Sequence, residues 1–171
     1  MRPEVTAIAP RPTRRAFLGL GGGAVAAALV TWPAPSVAET AEIDYMKPDA
    51  AHRAAVAGDI ILIDIRRPEE WLQTNIAQGA IALDMREENF VPTLTALRRA
   101  NPDTPIALIC RTGNRTGYVT SALAKQGFPG LVDVNEGMMG GSNGPGWLNR
   151  GLPTYAGTMV NVTARRKTLL P

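Results

Sequence analysis

The sequence predicts an α/β fold, a central, mostly parallel sheet with helices on both faces. Two observations carry this expectation. Short apolar runs alternate with helix-like stretches over residues 39–157, and parallel neighbours need such helical crossovers. The run Ile60-Ile61-Leu62-Ile63-Asp64-Ile65 is almost wholly branched and apolar, as a strand covered on both faces must be.

The elements follow in order. Pro48 to Ala57 is an Ala-rich helix stopped by Gly58-Asp59. Ile60 to Ile65 is a strand. Pro68 to Gln73 is a short helix with proline in its first turn. Ala80 to Leu83 is a short strand. Phe90 to Ala100 is a helix, with Leu94 and Leu97 three apart. Thr104-Pro105 leads into the strand Ile106 to Ile109. Thr116 to Gln126 is a helix presenting Val119, Ala122 and Leu123, with Gly127 as its stop. Leu131 to Val134 is the last strand expected. Gly137 to Gly146 contains five glycines and is expected to be a flexible loop, and Trp147 opens a short final helix.

Residues 1–38 have another character. Arg14-Arg15-Ala16-Phe17-Leu18 precedes a Gly- and Ala-rich apolar run, then a proline break, then Ser36-Val37-Ala38. Basic, apolar and small-x-small segments in that order predict an export signal cleaved after Ala38. The paired arginines resemble a twin-arginine signal, which implies a periplasmic protein with no stable membrane association after cleavage. The alternative is an uncleaved membrane anchor. The apolar run, Ala16 to Trp32, is 17 residues and much of it Gly and Ala, whereas a span needs about 20 predominantly apolar ones.

Charge depends on that segment. The whole chain carries +3, but residues 1–38 hold four arginines and one glutamate. The remainder has 14 basic and 14 acidic side chains, so its balance gives no argument for nucleic-acid binding. The basic cluster Arg165-Arg166-Lys167 lies in residues 158–171, expected to form a solvated, frayed tail.

Cys110 is the only cysteine, and an oxidising compartment offers it no partner in its own chain. It stands between the Ile106–Ile109 strand and a helix, in Cys110-Arg111-Thr112-Gly113-Asn114-Arg115-Thr116. A helix N-terminus and flanking cations favour a thiolate, the nucleophilic form. Ligands of parallel sheets bind outside the carboxyl ends of strands, where Cys110 sits. His52, the only histidine, reads as a surface residue, and no Cys/His cluster has metal-site spacing.

Several segments together resemble the rhodanese family. Leu62-Ile63-Asp64-Ile65-Arg66 with Pro68-Glu69-Glu70-Trp71 is similar to its first motif, followed by Gly79-Ala80-Ile81. Cys110 to Thr116 resembles its active-site loop. Glu136-Gly137, Trp147 and Gly151-Leu152-Pro153 resemble its terminal pattern. Where the family commonly has Gly-His-Ile, this chain has Thr74-Asn75-Ile76, with an extra residue before Gly79. Its Gly137–Gly146 loop is also longer than the usual turn.

The resemblance implies a sulfurtransferase. Cys110 is the expected nucleophile and Arg115 the residue closing the loop. Arg111, Thr112, Gly113, Asn114 and Thr116 are the expected substrate-binding residues, with Asp64 and Arg66 shaping the cleft. Arg66 and Glu70, four apart, are expected to pair. Trp71 and Trp147 are expected in packing. Cys110 would take the sulfane sulfur of thiosulfate, or of another small sulfane donor, as a persulfide. Cyanide or a thiol would accept it, with no metal or organic cofactor. Two other readings use the same residues: a persulfide carrier or binding module without turnover, and a cysteine phosphatase or arsenate reductase. In the last group the arginine comes six residues after the cysteine; here Arg115 comes five after Cys110.

Overall fold

The structure is a computed structural model that describes residues 40–169; the predicted export signal, residues 1–38, lies outside them. The elements are β1 (Ile43–Tyr45), α1 (Pro48–Ala57), β2 (Ile61–Asp64), α2 (Pro68–Thr74), β3 (Ile76–Ala77), β4 (Ile81–Ala82), α3 (Phe90–Ala100), β5 (Ile106–Ile109), α4 (Asn114–Ala124), β6 (Leu131–Asp133), α5 (Gly146–Asn149), β7 (Thr154–Tyr155) and α6 (Met159–Leu169). Five strands form one parallel sheet in the order β1-β6-β5-β2-β4. The predicted α/β architecture is the one observed.

Burial on both faces explains the apolar strands. Along β5, Ile106, Leu108 and the following Cys110 enter one core with Phe90, Leu94, Leu97, Val119 and Leu123. Ala107 and Ile109 enter the other, with Trp71, Met138 and Trp147. The period of two divides one short run between two cores, so neither face tolerates a polar residue in the middle of the strand. Trp71 and Trp147 are fully buried, as expected. On α4 the buried set is Thr116, Val119, Thr120, Leu123 and Ala124, while Ala122 is only half-buried.

Three strands escaped the sequence reading. The strand β1 is an edge strand of three residues. The strands β3 and β7 pair antiparallel through two residues each, so Leu131–Asp133 is not the last strand. Such lengths carry almost no periodicity.

The C-terminal segment corrects an expectation. Residues 159–169 are not a frayed tail but the helix α6. Val162 is 1 % exposed. Arg166 donates from Nε to the Ala82 carbonyl at 2.7 Å and pairs with Glu87, while Arg165 lies 4.2 Å over the Tyr155 ring. Arg166 therefore caps the outer edge of β4, whose Ala82 carbonyl would otherwise be an open sheet edge, while Arg165 stacks on Tyr155 of β7. His52 also differs from expectation: it is half-buried and stands edge-on to Trp147, ring centroids 5.6 Å apart. Among the described residues, no helix is long and apolar enough to cross a membrane.

If α6 is docked through Val162, Val162→Ala lowers unfolding free energy by about 1–2 kcal/mol in urea titrations. A frayed tail would leave stability within about 0.5 kcal/mol of wild type.

Candidate functional site

The strand β5 ends at Ile109, and Cys110 follows with no exposed surface. The helix α4 begins at Asn114, two residues earlier than predicted, so Asn114, Arg115 and Thr116 form its first turn. The turn between strand and helix is consequently tight. The Gly113 N–H donates to the Cys110 Sγ at 3.2 Å, and the Thr116 hydroxyl oxygen lies 3.7 Å from it. Thr116 also donates to the Gly113 carbonyl at 2.8 Å, which locks the turn from inside.

Two glycines let this turn approach the neighbouring strand exit. Gly113 has φ +91°, and a Cβ there would overlap the Asn135 carbonyl. Gly137, at φ +68°, faces the Arg111 carbonyl so closely that a Cβ would lie 2.7 Å from it. Only glycine is free of both the steric and the conformational cost. The two backbones then bond directly: Met138 N–H to the Cys110 carbonyl and Met139 N–H to that of Arg111, both at 2.8 Å. The loop expected to be flexible is thus tied to the cysteine turn. It is tied at its far end by Glu136, which accepts from Gly146 N–H and pairs with Arg150.

The arginines take different partners from those predicted. Arg66 does not pair with the Glu70 carboxylate. It chelates Asp64, Nε and Nη2 reaching its oxygens at 2.7–3.0 Å, and it donates to Thr74 and to the Asn75 carbonyl, both at 2.6 Å. Arg66 and Asp64 are themselves buried, while Thr74 is half-buried and Asn75 exposed. Asn75 holds φ +59° with extended ψ, a region otherwise nearly confined to glycine, and the Arg66 bond to its carbonyl helps hold it there.

Glu70 instead receives a fork from Arg115, at 2.7 and 2.6 Å, across 45 residues of sequence. Its carboxylate also accepts the Arg67 N–H at 3.1 Å, capping α2. Burial alone would raise the Glu70 carboxyl. The Arg115 hydrogen bonds, the Arg67 N–H and the charges of Arg115 and Arg66 outweigh it and hold the group at about 2. The Arg115 guanidinium is raised, chiefly by Glu70. Arg111 is exposed and its guanidinium donates no hydrogen bond among the described residues; Asn114 is exposed and Thr112 half-buried. Arg111, Met139, Arg66, Glu70, Gln73 and Thr74 line a small cavity of about 30 Å³.

The structure therefore brings Cys110, Gly113 and Thr116 into contact and pairs Arg115 of α4 with Glu70 of α2. Asp64 and Arg66 form a separate buried pair. Glu70 was missed as the Arg115 partner because nothing in local spacing links residues so far apart. Asp133 was missed too; it is buried at the end of β6, and burial pushes its carboxyl up. Among the described residues, no group of three or more His, Cys, Asp or Glu is placed to hold a metal ion.

Residues 47–143 match the family model described as a rhodanese-like domain. The chain belongs to the rhodanese-like domain family. It is 29 % identical over 108 residues to a protein named sulfurtransferase from Allochromatium vinosum, covering 62 % of this chain and 88 % of that one. It is 28 % identical over 98 residues to the uncharacterized protein RP600 of Rickettsia prowazekii, covering 54 % of this chain and 80 % of that one. A solved structure from Rhodopseudomonas palustris, described as a protein of unknown function and possible tyrosine phosphatase, is similar with a TM-score of 0.49. It shares 18 % identity, over 66 % of this chain and 85 % of that one.

The Glu70 shift has a consequence for stability. A carboxyl at about 2 when folded, against 4.5 ordinarily, contributes stability fully present above pH 4.5 and lost as pH falls toward 2. The contribution is on the order of 3 kcal/mol. Urea unfolding of wild type and Glu70→Gln at pH 7 and pH 3 should show the variant lacking that acid-sensitive component. Parallel losses in the two proteins would place the acid sensitivity elsewhere.

Proposed function

We propose that this rhodanese-like chain is a sulfurtransferase that carries sulfane sulfur on Cys110. The observation that supports it most is the cradle of the sulfur: a buried thiol at a strand end, with the Gly113 N–H on Sγ at 3.2 Å and a helix starting one residue later. A main-chain N–H and a helix N-terminus stabilise negative charge on sulfur through both halves of the reaction. The short turn favours one sulfur atom over a tetrahedral phosphate, because Arg115 stands five residues after Cys110 and is held by Glu70.

In this reading the Cys110 thiolate attacks the outer sulfur of thiosulfate. The S–S bond of the donor breaks and sulfite leaves with its electron pair, so Cys110 ends as a persulfide. Cyanide or a thiolate then attacks the outer sulfur, and the pair returns to the Cys110 sulfur. Cys110 has no exposed surface, so donor access requires a side chain of the rim to move aside. Exposed Arg111, with no competing hydrogen-bond partner among the described residues, recruits the anion. Arg115, held by Glu70, positions the turn rather than closing over the donor. Thr112 and Asn114 line the approach, and Asp64 with Arg66 supports the cleft from below.

The same proposal places the protein outside the cytoplasm through residues 1–38, with a mature N-terminus at Glu39. Arg14→Lys with Arg15→Lys should block processing and export in fractionated cells. Processed protein reaching the periplasm in normal amounts would exclude a twin-arginine route, and full-length wild-type protein in the membrane fraction would favour the anchor.

Incubation with thiosulfate alone should raise the intact mass by one sulfur, and Cys110→Ser should abolish both the gain and thiocyanate formation with cyanide. A serine variant that still turns over would remove Cys110 as the carrier. Arg111→Ala should raise KM for thiosulfate with kcat little changed. Arg115→Ala should lower kcat/KM roughly ten- to a hundredfold and also lower stability, since it leaves Glu70 buried and unpaired.

A further inference from the structure

Beside the cysteine turn lies an open groove of about 370 Å³ lined by Arg67, Met85, Arg86 and Arg115. It sits at the carboxyl edge of the sheet: Arg67 follows β2 and caps α2, Met85 and Arg86 follow β4, and Arg115 follows β5 on the first turn of α4. We propose that this groove is the acceptor subsite, and that the acceptor it takes is a small thiol bearing a carboxylate. The proposal rests on the sulfurtransferase reading above and specifies which nucleophile discharges the persulfide.

The charge arrangement carries the argument. Taken as a cluster, the three arginines are opposed by nearby carboxylates, including Glu70 and Asp84. Those two are buried, and their oxygens are occupied by the arginines they hold. Asp84, 7 % exposed at its side chain, is chelated by Arg86 Nε and Nη2. Glu70, 11 % exposed, takes Arg115 Nη1 and Nη2. The guanidinium side of each pair faces out, with side-chain exposures of 52 % for Arg67, 56 % for Arg86 and 30 % for Arg115. Among the described residues, Arg86 Nη1 and Arg115 Nε donate no hydrogen bond, and the Arg67 guanidinium makes only a 3.6 Å ion pair with Glu70. A carboxylate meets the Arg86 and Arg115 guanidiniums already held by Asp84 and Glu70, with the Arg67 guanidinium free to complete the grip.

Size and polarity separate this subsite from that of the donor. The groove is far roomier than a five-atom thiosulfate ion requires, and Met85 gives it an apolar, adaptable wall suited to a methylene chain. An acceptor anchored by its carboxylate on Arg67 and Arg86 would extend past Arg115 toward the Cys110 turn. Its thiolate sulfur forms a bond to the outer sulfur of the Cys110 persulfide, the Cys110–sulfur bond breaks, and the electron pair stays on Cys110. The acceptor leaves as its own persulfide, with atoms and charge conserved.

Two measurements test this separately from the sulfurtransferase reading. In the first, 3-(methylthio)propionate, which cannot accept sulfur, is titrated into the unloaded protein against its uncharged alcohol, 3-(methylthio)propanol. The Arg67 Nε–H resonance should shift with the carboxylate and not with the alcohol, and the shift should be lost in Arg86→Gln. No shift with either compound, or equal shifts with both, would overturn the groove whatever the thiosulfate result. In the second, thiosulfate-loaded protein is discharged with 3-mercaptopropionate or 2-mercaptoethanol and followed by intact mass. Arg67→Gln and Arg86→Gln should each slow discharge to the carboxylate thiol by about five- to tenfold relative to the neutral one. Equal effects on the two thiols would overturn the proposal. A carboxylate-specific shift in protein that never gains sulfur from thiosulfate would keep the groove as an anion site and sink the sulfurtransferase reading instead.

Discussion

The Glu70–Arg115 fork joins the two elements between which the site is formed. One carboxylate caps α2 through the Arg67 N–H and holds the first turn of α4 through Arg115. The end of β2 and the end of β5 are thereby kept in fixed relation above the sheet. Burial penalises both charges, and the fork together with the N-terminal charge of α2 offsets that penalty. The pair would be costly to break, since either partner alone is a charge with poor access to water. Its consequence is that the Arg115 guanidinium is committed to a carboxylate, whereas exposed Arg111 donates no hydrogen bond among the described residues.

The cysteine turn depends equally on the absence of side chains. Gly113 and Gly137 let two backbone segments touch, and the hydrogen bonds from Met138 and Met139 then tie the long glycine loop to the turn. A loop that composition marks as flexible is anchored at both ends, by those bonds on one side and by Glu136 with Arg150 on the other. The backbone of the loop beside Cys110 is therefore fixed by placed hydrogen bonds and an ion pair, although glycines make up half of it.

The periphery shows the same economy of exposed edges. The short β4 strand leaves a carbonyl at the sheet margin, and α6 supplies Arg166 to satisfy it while Val162 fills the gap beneath. A basic helix that buries one residue completely has little amphipathic signature, so its docking is decided by the edge it covers.

The sequence by itself determined the sheet, the two-sided burial of its central strands, the position of Cys110 at a strand end and the family resemblance that the family match then bore out. Those properties are local: apolar runs of period two, helix stops at glycine, and a motif contiguous from Cys110 to Thr116. Phe90–Ala100 and Ile106–Ile109 were legible to the residue for that reason. The tertiary structure alone decided which carboxylate each arginine meets. Arg66 and Glu70 have ideal helical spacing, yet Asp64 lies on the adjoining strand end in better geometry for Arg66, and Arg115 arrives from 45 residues away to take Glu70. Ion pairs are chosen by distance and burial after the chain has folded, and neither quantity is written in the order of the residues.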